Sequence, residues 1–219
     1  MVAPNCTFIL LLMLLLSCNL SSDKLVNDKQ ENEGANASIS LLNASNQQLK
    51  IKKHQVFKHD LAEALGLNPE HLCFEQEEFS CIDDVHVLEL GGVSPYEKGI
   101  HTPMRKFSAS TPLIVERVVL SACSKRSELD LADQENALIF RQLNSDKLGN
   151  LLGEQSEALK QAVNTLAHRS LQRALSQSEL DTFFSLYEEV IKKSDNKQIY
   201  TWAVLSCYIM LSSLEFLFY

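Results

Sequence analysis

The chain has 219 residues, 45% of them hydrophobic and 22% charged, with seven Gly and five Pro. Those values exclude a collagen-like, a wholly disordered or a multi-span membrane protein, and at this size one main domain is expected. The formal charge of −8 excludes a nucleic-acid surface, because neutralising phosphates takes clustered Lys and Arg.

Thr7 to Leu16 reads TFILLLMLLL. Crossing a hydrocarbon core of about 30 Å takes roughly 20 apolar residues, so this run has the length of a secretory h-region instead. Leu15-Leu16-Ser17-Cys18 comes next, followed by Asn19. This segment resembles the lipobox of bacterial lipoproteins, with an aliphatic residue at −3, a small one at −1, and the Cys that becomes the lipid-bearing N-terminus. The resemblance implies a signal peptide over residues 1–17 and palmitate-type acylation of Cys18. With Asn19 rather than Asp next, it also implies delivery to the outer membrane, facing periplasm or surface. Each buried methylene contributes about 0.8 kcal/mol, so the three chains of a lipoprotein would hold the protein at the membrane. The alternatives are an ordinary signal cleaved near Ser22, giving a secreted protein, and an uncleaved anchor. Residues 18–50 are rich in Asn, Ser and Gln and, from Asn19 on, contain no aromatic residue. They are expected to form a disordered tether, too polar to offset the entropy of ordering. Asn36-Ala37-Ser38 and Asn43-Ala44-Ser45 are glycosylation sequons, relevant only in a eukaryotic host.

From residue 51 to 219 the patterning predicts a mainly α domain with one short strand and one long irregular loop. Phe57, Leu61 and Leu65 form a helical stripe. Asn68-Pro69 reads as N-cap plus first-turn Pro of a short helix that carries Cys73. Val85 to Leu90 alternates as a strand, ended by Gly91-Gly92. Residues 93–110 have no period and contain Pro95, Gly99 and Pro103, which marks an ordered loop long enough to be functional. Thr111-Pro112 restarts helix, with Ile114, Val118 and Ala122 on one stripe and Val115, Val119 and Cys123 on its neighbour; the β-branched content also permits a strand. Leu131 to Leu143 is predicted as helix, and so is Glu154 to Ala174 after Gly149 and Gly153, with Leu159, Val163, Leu166 and Leu171 facing inward.

Ser176-Gln177-Ser178-Glu179 is a capping box opening a helix whose apolar face is Leu180, Phe183, Phe184, Tyr187 and Ile191, and whose last turn carries Lys192-Lys193. After a break at Ser194–Asn196, Trp202 to Tyr219 is apolar nearly all round. Such a helix is buried in a core or in a membrane; the amphipathic partner before it favours the core, and Glu215 disfavours a span. Within 165–219, the run Leu166 to Ser176, Glu179-Leu180, Leu186-Tyr187 and Leu211 to Tyr219 resemble a family of helical domains of unknown function. These occur in planctomycete and myxobacterial proteins that also carry c-type cytochrome modules. The resemblance implies a helical hairpin and an envelope setting, with no reaction attached. Covalent haem needs Cys-x-x-Cys-His, and no such spacing exists in this chain.

With Cys18 acylated, the mature thiols are Cys73, Cys81, Cys123 and Cys207. Export permits disulfides. Cys73–Cys81 is the preferred pair and Cys81–Cys123 the alternative, while Cys207, on the apolar helix, reads as a packed thiol. His71, Cys73, Cys81, His86 and His101 are the cluster richest in metal-ligand types, but His71 and Cys73 point apart on a helix and no C-x-x-C or H-E-x-x-H accompanies them, so no metal or other cofactor is expected. No G-x-S-x-G elbow exists, and Gly91-Gly92 lacks the third Gly of a phosphate loop. Arg169 and Arg173 are expected to make surface ion pairs. The leading functional expectation is a lipid-anchored binding or accessory module with an envelope partner and no catalytic residue. The other expectation is an envelope enzyme using His86 or His101 with Asp83 or Asp84 near the 93–110 loop, which requires those residues to converge in one pocket.

Overall fold

A computed structural model describes residues 50–103, 108–143, 145–146, 149–150, 156–194 and 196–218. The signal segment, Cys18, the tether up to residue 49, Gly153 and Tyr219 lie outside the described residues.

The described chain is mainly helical. Helix α1 (His54–Leu65) turns Phe57, Leu61 and Leu65 inward and ends at Gly66, in the left-handed region at φ 59°. That backbone conformation strains any residue with a Cβ, so the turn favours glycine there. Asn68 caps only a three-residue 3₁₀ turn (Pro69–His71), with its Oδ1 accepting from the Glu70 amide at 2.9 Å. Cys73 therefore lies beyond that turn, at the foot of a two-stranded antiparallel hairpin made of β1 (Phe74–Glu75) and β2 (Phe79–Ser80). Gln76 and Glu77 turn the hairpin with positive φ.

Then come α2 (Thr111–Ala132), α3 (Ser156–Ser170), α4 (Gln177–Lys193), α5 (Gln198–Leu211) and the short α6 (Leu214–Leu217). Both expected stripes of α2 are buried, which settles helix over strand in this segment. The capping box of α4 forms in full: the Ser176 hydroxyl accepts from the Glu179 amide, and the Glu179 carboxylate accepts from the Ser176 amide at 2.7 Å. Trp202 is completely buried. Its indole N–H donates to the Phe183 carbonyl at 3.1 Å, and Phe140 and Tyr187 meet its ring edge-to-face. The apolar C-terminal helix is thus core-packed, and no helix among the described residues is long and apolar enough to cross a membrane.

Several sequence expectations give way. Val85–Leu90 is not a strand: Cys81–Val85 forms a π-turn and the chain continues in turns to Gly92. The amides of His86, Leu90, Gly91 and Gly92 donate to Cys81, His86, Leu88 and Val87, so no ladder partner is needed. Leu131–Leu143 is not a helix. Asp130, fully buried, accepts from the amides of Leu138, Ile139 and Phe140 at 2.8–3.0 Å and wraps the chain round its carboxylate, ending α2 at Ala132. Ala137, Ile139, Phe140 and Leu143 still reach the core, so the apolar residues were legible and their conformation was not. The helix expected over 154–174 stops at Ser170, and Gln172 turns the chain at φ 56°.

The thiols pair as Cys73–Cys81 and Cys123–Cys207. Cys207 is therefore no free packed thiol, and the Cys81–Cys123 alternative does not form. The second bond joins α2 to α5. Glu116 with Tyr208, Cys123 with Cys207, and Glu128 with Tyr200 advance along one helix while retreating along the other, so the two run antiparallel.

Two stability measurements follow. Chain entropy assigns about 4.5 kcal/mol to the Cys123–Cys207 loop and about 2.6 kcal/mol to the Cys73–Cys81 loop, so urea midpoints should fall further for Cys123→Ala/Cys207→Ala than for Cys73→Ala/Cys81→Ala. Asp130→Ala orphans three amides and Arg126, whose guanidinium is 2.6 Å from the carboxylate, and should cost about 3–5 kcal/mol in the same assay.

Candidate functional site

The edge built from α1, the 3₁₀ turn, the hairpin and the π-turn gathers most of the polar chemistry. The disulfide brackets the hairpin, and the Cys81 amide donates to the Cys73 carbonyl at 3.1 Å. From α2, Ser121 and Lys125 donate to the carbonyls of Leu72 and His71 and hold this edge from behind.

Lys58 lies within the inward face of α1, seven residues before Leu65, and is 4% exposed. Its ammonium donates to Asp83 Oδ2 at 2.6 Å and to Glu70 Oε1 at 2.7 Å. Burial works against the charge, but the two carboxylates outweigh it and hold the Lys58 pKa above the ordinary lysine value. Asp84 turns the other way and accepts from the Ser80 amide at 2.8 Å. His86 pairs through Nε2 with Glu75 Oε1 at 2.7 Å, and Arg117 from α2 reaches the same oxygen at 3.1 Å.

The expected acid–base constellation is therefore divided. Asp83 is committed to Lys58, His86 to Glu75, and His101 lies exposed in the 93–103 stretch. None of Asp83, Asp84, His86 and His101 lines the apolar cavity of about 300 Å³ between the start of α2 and the C-terminal segment, whose walls include Ile51, Pro112, Val115, Leu214 and Leu217. Cys73 and Cys81 are joined to each other and unavailable as ligands, and among the described residues no group of three or more His, Cys, Asp or Glu side chains could hold a metal ion. What this arrangement does chemically is fix a charged, disulfide-braced edge in one shape. Lys58, Glu70, Glu75 and Arg117 were not singled out from the sequence. Lys58 carried a readable signal, since a cation on an inward stripe requires a carboxylate from elsewhere; Glu75 and Arg117 meet only through the fold.

The two arginines of the helical hairpin have separate tasks. Among the described residues Arg169 makes no ion pair: its Nε and Nη2 donate to the carbonyls of Ala64 and Glu63 at 2.7 and 2.6 Å, closing the C-terminus of α1. Arg173 bridges Glu179, at the start of α4, and Glu215, in α6. It thereby ties the start of α4 to the C-terminal segment. Hydrogen bonds from Arg173 and from the Ser176 amide hold Glu179 down at about 2, and Arg173 lowers Glu215 as well.

Both folded-state values lie below those of the unfolded chain, so this contribution to stability is complete above pH 4.5 and is lost as the pH falls toward 2. Urea unfolding between those limits should show stability declining with acid, with a flatter slope for Arg173→Gln; an unchanged slope would remove Arg173 as the cause.

Compared with protein-family models, curated proteins and solved structures, the chain matches none, so its function has to be read from its own chemistry.

Proposed function

We propose that this is an exported protein, held at the bacterial cell envelope by acyl chains on Cys18, whose helical body is a binding or accessory module and not a catalyst. The observation that carries the reading is the pair of disulfides. All four thiols of the body are oxidised in two bonds, one within a local hairpin and one between helices distant in the chain. Structural disulfides of this kind persist in the periplasm, at the cell surface or outside the cell, and are rare in a reducing cytosol. That agrees with the lipobox-like Leu15-Leu16-Ser17-Cys18 and with the likeness of residues 165–219 to domains that accompany cytochrome modules. An accessory role beside an envelope redox or cell-surface assembly fits both. A binding role is supported by the separate commitments of Asp83 and His86, and by exposed apolar groups such as Tyr96, fully exposed, and Leu214, 72% exposed at the cavity rim.

Intact-mass measurement of the native protein tests the placement. The expected product lacks residues 1–17, carries acyl chains on Cys18 and is four hydrogens lighter than the reduced chain. Cys18→Ala should move the protein from the membrane to the soluble fraction. A full-length chain starting at Met1 with four free thiols would overturn the reading.

A further inference from the structure

We propose that His54 is an acid-sensitive latch: neutral, it keeps the turn from Val87 to Gly92 and the π-turn closed on the first turn of α1, and its protonation releases them. The ring is wedged against the turn. A Cβ at Gly92 would stand 2.7 Å from His54 Nδ1 and 2.5 Å from Val87 Cγ2, so only glycine lets the backbone close over the imidazole. The other ring nitrogen, Nε2, is 3.1 Å from the side-chain amide nitrogen of Gln55. An amide nitrogen only donates, so Nε2 accepts and the ring's proton sits on Nδ1. The same Gln55 nitrogen donates to Asp83 Oδ1 at 3.4 Å.

An imidazolium would need an acceptor at Nε2 in place of that donor. Turning the Gln55 amide over supplies one, but sets the amide oxygen against the Asp83 carboxylate. The charged groups acting on His54 are Asp83, from the π-turn, and Lys58, from α1, and they oppose each other; the turn at Gly92 brings its backbone and the Val87 methyl against the ring. Burial is the largest influence and places the imidazole below its ordinary 6.5. With the folded value below the unfolded one, the closed arrangement is fully stabilised above pH 6.5 and weakens as the pH falls below it. Opening would uncover Ile82, Val87 and Leu90, now 1%, 8% and 6% exposed, and turn a closed edge into an apolar contact surface.

Hydrogen exchange of the full oxidised chain at pH 7 and pH 5, corrected for intrinsic rates, tests this. Peptides covering 82–92 should lose protection several-fold at pH 5 while α4 and α5 keep theirs, and His54→Gln, uncharged at both values, should remove the difference. Equal protection of the wild-type protein at both values overturns the proposal. So does a His54→Gln variant that keeps the wild-type response. Should the variant not fold, an NMR titration of the wild-type imidazole decides: an inflection below 6.5 supports the latch, and one at or above 6.5 overturns it.

Discussion

The antiparallel contact of α2 with α5 is the constraint on which the rest of the body depends. Val118, Val119 and Ala122 from one helix and Ala203, Met210 and Leu211 from the other are buried in the same core, the pairs Glu116–Tyr208 and Glu128–Tyr200 lie along the contact, and the Cys123–Cys207 bond fixes its register. Trp202 extends the contact to α4 through the Phe183 carbonyl and to the segment after α2 through Phe140. The return of the chain after α2 is organised by one carboxylate, since Asp130 accepts the three amides of Leu138, Ile139 and Phe140 and so places Phe140 against the indole. A buried anion is costly unless paired and hydrogen-bonded, and Arg126 supplies the pairing.

The α1–hairpin edge is built on a different principle. Its strands are two residues each, too short to be stable alone. Covalent closure at Cys73–Cys81 and the charges on Lys58, Glu70 and Asp83 add to the packing of Phe57, Leu61, Leu72 and Ile82. Charges held this way impose geometry more than they add stability.

Legibility in the sequence tracked how local the deciding interaction is. The stripe of α1, both stripes of α2, the Ser176–Glu179 box and the inward face of α3 are set by residues within one or two turns, and each was readable. The Val85–Leu90 and Leu131–Leu143 readings failed because a side chain outranked the pattern: Ser80 caps the π-turn, and Asp130 takes amides that a helix would have used. Hydrophobic periodicity reports which residues go inside and is silent about acceptors. The Cys123–Cys207 bond and the Glu75–Arg117 contact join segments far apart in the chain, and no local spacing encodes them. Arg169 was read as a charge seeking a charge, yet its partners are main-chain carbonyls, which carry no mark in a sequence.

Lys52 donates its amide to the Leu217 carbonyl at 2.9 Å, Ile51 pairs with Phe218 as an antiparallel bridge, and the Lys52 ammonium sits 4.2 Å above the Phe216 ring. The two extremities of the helical body are therefore stitched to each other. Topologically it is close to a ring with one cut in it, and the cut could be healed by a short linker and reopened at the Ser94–Ile100 turn without stretching any helix. Such a rearranged protein would keep every core contact while carrying its ends on the opposite side of residues 51–218 in chain order, which makes the body a portable insert for a larger host.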